Sequence, residues 1–527
     1  MRKEKYMEKP YTLAWRQFEA GREYKRRIGL YETVRRNERY YRGDQWYGTS
    51  FPDLPRPVFN IIKRIVDYLV CTVASGDFSI SYADDYLPFA ESRALRETVD
   101  HAIDVLNRHA AYRWDRERLE ALVCDCLLDA ALSGDGIFYC YWDPSARTGT
   151  AYTGDIVTGR VDNVNFFVAD VNRADIQSQE YIILSGRADV SSLRREAKRA
   201  GVSAEERKNI VADSDTSSGG GDYSAQELDF DDGKATYIIK FYREDGYVHF
   251  EKSVKNCLIR HAVTPMKLYP VAYFNWIPTK DSFHGTSPVT ALIPNQKYIN
   301  LAYAMVMKHM SDTAFSKVVY DKSRIPEWTN EVGEAIAAVG GGNISDAVSV
   351  LGVGQMQDGY LELIESAVSE TKELSGATKT ALGDADPTNT SAIIAMQESA
   401  RLPLSRVRAS LSRCLSELAA IWADMLLAFF PDERPLLCRG SDGQNTVETA
   451  VFSRISSSDI TAKVEVGKEE GSALITTQSI LDKLLASDKI DAETYVALLP
   501  PGILHGRSDI LDALRKRRKE RKGTDGN

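Results

Sequence analysis

Residues 285–314 read GTSPVTALIPNQKYINLAYAMVMKHMSDTA and residues 359–374 read GYLELIESAVSETKEL, and these two stretches decide how the rest of the chain is arranged. In the first, Thr286 or Ser287 can cap the free backbone donors of a helix, and Pro288 suits the first helical position, where a missing N–H costs nothing. Pro294 predicts a kink or a restart one turn later. From there Ile299, Tyr303, Val306 and Met310 recur at spacings of three and four, an apolar stripe on a helix running to about Ala314. Gln296 and Asn300 sit one turn apart on another face. The second stretch repeats the pattern, with Tyr360, Ile364, Ala367, Thr371 and Leu374 on one face and Glu362, Glu365, Ser369, Glu370 and Glu373 elsewhere. Two such stripes pair antiparallel, or pack against neighbouring copies.

Between the helices the signals are those of a small α/β knob. A strand at Lys317 to Tyr320 is followed by a turn at Arg324 to Pro326, a short helix from Thr329, a turn at Gly340 to Gly342 and a strand at Val348 to Leu351. After Leu374 the chain turns small and polar through Gly383 to Ser391, which predicts a loop. Thr388 to Thr390 can then cap a helix from Ser391 to about Phe430, roughly 60 Å long at the usual rise. Leu411, Leu415, Leu418, Trp422, Met425 and Phe429 alternate by four and three as a packing seam, and Pro403 predicts a bend.

At 527 residues the chain is too long for one core, so three or more domains are expected. The apolar run from Leu418 to Phe430 is too short to span a bilayer and carries Asp424. The charged N-terminus shows no apolar signal segment. Seven scattered cysteines read as free thiols in a reducing compartment, and Cys124-Asp-Cys126 has the wrong spacing for a zinc pair. A net charge of −9 argues against a protein that grips nucleic acid over its whole surface, because tight binders cluster Lys and Arg on phosphates. It does not exclude one that lets nucleic acid pass.

The first 42 residues are helical and basic, and the default reading is a solvated helix face. Asn37-Glu-Arg-Tyr-Tyr-Arg-Gly-Asp-Gln-Trp46 ends that helix at Gly43 and sets aromatics against a neighbour. Arg56-Pro-Val-Phe-Asn60 leads into an apolar helix, Ile61 to Val73, and then a short strand at Ser79 to Tyr82. A helix pair follows from Ala90 to Leu132. At Gly134-Asp-Gly136 the period changes from helical to strand-like, and strands at Ile137 to Trp142, Thr150 to Val157, Val164 to Val168, Tyr181 to Leu184, Ala235 to Arg243, Tyr247 to Phe250, Leu258 to Arg260 and Val271 to Asn275 predict one mostly antiparallel sheet region. The Ser, Gly and Asp-rich stretch from Asp213 to Asp232 reads as a loop. Its start resembles a calcium loop, but Ser218 and Ser224 stand where Gly and Glu are required. Past Pro431 a strand at Ala462 to Val466 is expected to complete the earlier sheet. Helices at Thr476 to Ser487, Asp491 to Leu498 and Arg507 to Arg521 close the chain on a basic tail.

Catalytic patterns are missing. Gly376-Ala-Thr-Lys-Thr380 lacks the first glycine of a P-loop and follows a helix rather than a strand. The seven histidines show no metalloprotease spacing, Gly-x-Ser-x-Gly is absent, and no carboxylate pair stands out from a solvated face. The residues point to no enzyme, no metal and no cofactor.

Taken together, these stretches resemble the portal proteins, or head-to-tail connectors, of tailed double-stranded DNA bacteriophages, most like those of short-tailed phages. The resemblance rests on Asn37 to Trp46, Arg56 to Asn60, Gly285 to Val289 with Gln296 and Asn300, and Ser375 to Gly383 leading into the long helix with Pro403. It covers roughly residues 35 to 430. It implies an α+β, mainly helical, multidomain subunit with an antiparallel β wing, helical stem, small α/β clip, long kinked helix and helical C-terminal crown. On this analogy 1–284 holds the N-terminal helices and wing, 285–314 stem helix 1, 315–358 the clip, 359–377 stem helix 2, 378–390 a channel loop, 391–470 the long helix and return to the wing, and 471–527 the crown and tail.

The resemblance further implies a virion protein, assembled in the host cytoplasm and set at one capsid vertex. It implies a homo-oligomeric ring, typically of twelve subunits, through whose channel double-stranded DNA is packaged and ejected. The clip would dock the terminase large subunit and then the head-completion or tail adaptor, with Tyr320, Arg324, Pro326 and Trp328 as partner-binding candidates. The ring would also meet the major capsid protein and scaffold, with no membrane contact. Lys379, Thr380, Asp384, Thr388, Asn389, Glu362 and Glu365 are the candidates for the DNA channel. Twelve copies would carry about −108, and an anionic wall lets duplex slide where a cationic one would hold it. The alternative, a nucleic-acid motor or nuclease subunit of the packaging machinery, is motivated by the basic termini and long helices but lacks a nucleotide motif.

Overall fold

The computed structural model describes residues 10–498 except 52, 76–77, 85–92, 148–151, 214–232, 314–317, 330–335, 351–358, 378–401, 431–433, 441–443, 456–459, 467–479 and 488. The chain begins with α1 (Pro10–Arg27) and α2 (Leu30–Arg42), divided by Gly29 in the left-handed region and ended by Gly43, also left-handed. The basic face is not simply solvated. Lys25 is buried, and its ammonium donates to the carbonyls of Asn163 and Phe166 and lies 3.9 Å from the centre of the Phe167 ring. This corrects the sequence reading, because α1 packs across the sheet instead of standing in water.

Asn60 starts α3 (Ile61–Ala74) by accepting a hydrogen bond from the Lys63 amide. The strand β1 (Phe78–Asp84) follows, then α4 (Arg93–Arg116) and α5 (Leu119–Ser133) on either side of a left-handed Arg118. The expected strand region is present, but as two antiparallel sheets rather than one. The smaller has β2 (Asp135–Arg147) between β3 (Thr153–Arg160) and β9 (Val271–Asn275). The larger runs in the order β4 (Phe166–Val168), β5 (Tyr181–Asp189), β6 (Lys234–Glu244), β7 (Tyr247–Val254), β8 (Cys257–Val263). Alternation marks a strand but not its partner, which is why the division was not legible. The helices α6 (Val190–Arg199) and α7 (Ala204–Lys208) lie between β5 and β6 in the chain.

The helix α8 (Pro288–Thr313) begins where expected, with the Ser287 hydroxyl accepting from the Val289 amide. It does not restart at Pro294, which lies inside it on the exposed side, where water can take the carbonyl left unpaired. Its buried residues stop at Ala304; beyond that Met310 stays exposed, because α2, α3 and α5 no longer reach it. The knob keeps its two strands, β10 (Val318–Tyr320) and β11 (Val348–Val350), paired antiparallel. The short helix expected from Thr329 lies outside the described residues, apart from the unhelical Thr329 itself. The returning helix α9 (Gly359–Leu374) runs antiparallel to α8, since Asn295 near the base of α8 donates to Thr371 near the end of α9.

Pro403 sits in a 3₁₀ turn, Leu402–Leu404, directly before α10 (Ser405–Phe429). The expected first third of that helix lies outside the described residues. The seam is buried as read from Leu411 to Met425, and Phe429 stacks on Trp142 with ring centres 4.9 Å apart. Asp424 on this buried helix accepts from the amides of Lys267 and Leu268, so it ties down a loop. A hairpin, β12 (Leu436–Arg439) and β13 (Asn445–Glu448), follows. The next strand, β14 (Ile460–Val466), does not complete the earlier sheet but pairs with β1 alone, in register Tyr82 with Ala462. The last described helices are 480–486 and α11 (Ala492–Leu498). Among the described residues no helix is long and apolar enough to cross a membrane, and no group of His, Cys, Asp and Glu could hold a metal ion.

Candidate functional site

The helix pair α8/α9 is held at its base by two buried polar networks. In the first, α5 ends at Gly134, left-handed with its N–H on the Ala130 carbonyl, and β2 starts at the fully buried Asp135. One carboxylate oxygen accepts from the Gly285 amide at 2.8 Å, the Tyr273 hydroxyl at 2.9 Å and the Asn275 amide group at 3.0 Å. The other lies 2.6 Å from His284 Nδ1 and 3.1 Å from Asn163 Nδ2. Burial pushes the Asp135 carboxyl up, but the His284 charge and hydrogen bond, with the Gly285 and Asn163 donors, outweigh it and hold the group below its ordinary value. Two of these bonds end on His284 and Gly285, where the chain enters α8, and the others on β9 and Asn163, so the carboxylate clamps that joint to the sheets rather than reacts.

The second network joins the motifs that the sequence singled out separately. Gln296 Oε1 accepts from the amides of Ile61 and Ile62 at the start of α3, while its Nε2 donates to Phe59 O at 2.7 Å and Asn300 Oδ1 at 2.9 Å. Asn300 donates in turn to Gln45 Oε1 at 2.6 Å, and Gln45 donates to Tyr40 O and Asn60 Oδ1. Asn37 donates to Leu132 O and Thr290 Oγ1. All these side chains lie at the base of α8, and each satisfies a neighbour's backbone or amide.

Beyond Ala304 the pair projects with exposed side chains, Glu362 and Glu365 among them on α9. At the far end the knob has a core of its own around Ile325 and Ala347, both buried. Tyr320 and Trp328 stack with ring centres 5.4 Å apart and planes 23° from parallel. Arg324 turns away from them, its guanidinium donating to the Asn343 carbonyl beside Gly342. Pro326 is exposed. Thus two of the four knob candidates are brought face to face, and one is spent on the knob's own turn.

The family model of the Phage P22-like portal protein matches residues 201–477, over half of the chain, from α7 through α8, the knob and α9 to β14. The chain belongs to this portal family. Portal proteins are structural subunits and not enzymes, consistent with a site made of clamps and surfaces. Among solved structures, the chain is similar to one in the neck of an empty gene transfer agent (GTA) particle computed with C6 symmetry, at 13% identity and a TM-score of 0.37, covering 84% of this chain and 90% of that one. A chain in the virion of a native GTA particle is similar at 13% identity and a TM-score of 0.37, covering 89% and 94%. No curated protein matches.

The portal candidates Lys379, Thr380, Asp384, Thr388 and Asn389 lie outside the described residues. The Asp135–His284 clamp and the buried Lys25 were not found from the sequence. Neither has a local signature, since each partner sits on a distant segment.

Proposed function

We propose that this portal protein forms a ring at one capsid vertex and that double-stranded DNA enters and leaves the particle through its centre. The observation that carries the reading is family membership over a span that includes the projecting helix pair and its knob. In this reading α8 and α9 are the stem, the knob is the clip, the two sheets and α10 form the wing, and the segments after 470 form the crown. The clip offers its paired rings, Tyr320 and Trp328, with Pro326 beside them, to the terminase large subunit and afterwards to the tail adaptor. Glu362 and Glu365, with Lys379, Thr380, Asp384, Thr388 and Asn389, face the channel, where acidic groups keep phosphates from adhering and a ring of single lysines gives contacts weak enough to release. Twelve subunits, assembly in the host cytoplasm, contacts with capsid protein and scaffold, and a short-tailed particle belong to the same proposal.

Mass photometry and axial negative-stain images of the purified chain test it. A ring of roughly 700 kDa is expected for twelve copies of 58.8 kDa, whereas a stable monomer at micromolar concentration overturns the reading.

A further inference from the structure

The outer side of β8 is a sheet edge that runs beside an aromatic groove. β8 ends the five-stranded sheet, and no described strand pairs with it other than β7. In an antiparallel ladder the backbone groups of alternate residues point to opposite sides. The Thr264 amide donates to the Val248 carbonyl, so Thr264 and Ala262 turn towards β7, while His261 and Val263 turn their N–H and C=O groups outward. Both residues are exposed, Val263 by 60%. Proline or a bulge would blunt such an edge, but the register is regular from Arg260 to Val263 and no proline interrupts it.

On one face of this edge the two sheets leave a groove of about 470 Å³. A ladder of rings lines it, Tyr141, Tyr139, Phe241 and Phe250, whose centres step by 5.6, 6.2 and 5.6 Å. The ladder ends at the exposed Arg260, whose guanidinium lies 5.8 Å from the centre of the Phe250 ring. Lys252, the other cation of the lining, is paired with Glu196 at 2.8 Å, whereas no carboxylate among the described residues pairs with Arg260. The surroundings are basic as well. Residues 190–208 and 247–263 hold nine Lys and Arg against four Glu, in a chain whose net charge is −9.

We infer that β8 is a docking edge for an acidic, extended peptide of a partner protein. The peptide continues the sheet through the backbones of His261 and Val263, sets an apolar side chain into the groove beside Ala262, and offers a carboxylate to Arg260. The backbone bonds give affinity that any extended chain can earn, and the groove with its unpaired cation selects among such chains. Duplex DNA fits the charge but not the edge, because a phosphate backbone accepts hydrogen bonds and has nothing to donate to the outward carbonyls of His261 and Val263. The inference goes beyond the ring proposed above and does not require it.

Fluorescence anisotropy of the full chain with a labelled probe peptide of about eight residues, Glu alternating with Phe, tests it. Saturable binding is expected, with amide exchange slowed at His261 and Val263. Arg260→Glu is expected to weaken binding about tenfold, and Val263→Pro, which removes an outward N–H and no bond of the ladder, by a similar factor. Both positions are exposed, so both variants keep the wild-type circular dichroism. The same peptide with Lys in place of Glu, or N-methylated along one edge, is expected not to compete. No saturable binding up to about 1 mM, or binding that neither variant weakens, overturns the inference. Displacement of the probe by duplex DNA, with exchange at His261 and Val263 unchanged, gives the patch to phosphates. A ring lost in Val263→Pro while the circular dichroism is kept gives the edge to a neighbouring copy. Either outcome overturns the inference and leaves the family assignment standing.

Discussion

His284 Nδ1 lies 2.6 Å from Asp135 Oδ2, although 149 positions separate the two residues in the chain. The contact ties the first residue of β2 to the segment that becomes α8, in a site where neither side chain reaches water. Asp135→Ala leaves the imidazole and four further donors without their acceptor and is expected to cost about 3–5 kcal/mol, the usual loss when one member of a buried pair is removed. Calorimetry of the unfolding transition checks this. The pH dependence follows from the downward shift. The stabilisation is complete above the ordinary value of 3.8 and is lost only as pH falls through the lower folded-state value, so the gap between wild type and Asp135→Asn should persist to about pH 4 and close below it.

Lys25 gives a slope of the same sign in a higher pH window. Burial pushes its pKa down from 10.5 to about 7, against the pull of Asp135 and Asp162. The unfolded chain therefore binds more protons than the folded one between those values, and stability rises with pH across the window; below about pH 7 both states are protonated and the cost of the buried charge is fully present. Thermal midpoints at pH 6.5, 8 and 9.5 should climb in wild type relative to Lys25→Met, which has no proton to lose there. Parallel curves would show that Lys25 is not desolvated.

Leu418 is buried at the centre of the α10 seam. Leu418→Asp places an unpaired charge there, a cost of several kcal/mol, and is expected to abolish soluble folded protein. Leu418→Ala should fold with a loss of about 2–5 kcal/mol. Expression and denaturant titration of the pair separate the two effects.

Deleting 378–389 removes the proposed channel loop without touching α8, α9 or α10. Rings of wild-type mass are expected, together with a drop in DNA packaged or retained per particle, read by nuclease protection. Loss of assembly on this deletion would make the segment part of the scaffold instead.

Helical elements with a strong period were legible. The start of α8 at Pro288, the stop of α9 at Leu374, the seam from Leu411 to Met425 and the paired knob strands all follow from local spacing and capping chemistry. What failed was anything decided by a distant partner. Lys25 sits in a basic run that reads as solvent-facing, and only the position of β4 over α1 buries it. β14 looked like a member of the main sheet because alternation says nothing about which strand it will meet, and β1 lies nearly the whole chain away. Gln296 and Asn300 stand one turn apart, as their spacing shows, yet no spacing rule could say that they join Gln45 and Asn60 in one network.

At the base of α8, Gly134 and Gly285 touch backbone to backbone. A Cβ on Gly134 would come within 2.5 Å of the Gly285 carbonyl oxygen, and a Cβ on Gly285 would meet the Gly134 carbonyl oxygen at 2.8 Å. Because glycine is already the smallest residue, a change at one position leaves no smaller replacement available at the other. A suppressor screen begun from Gly134→Ala should therefore return reversions and shifts elsewhere, never a compensating substitution at 285, and the two sites form a lock without a second key.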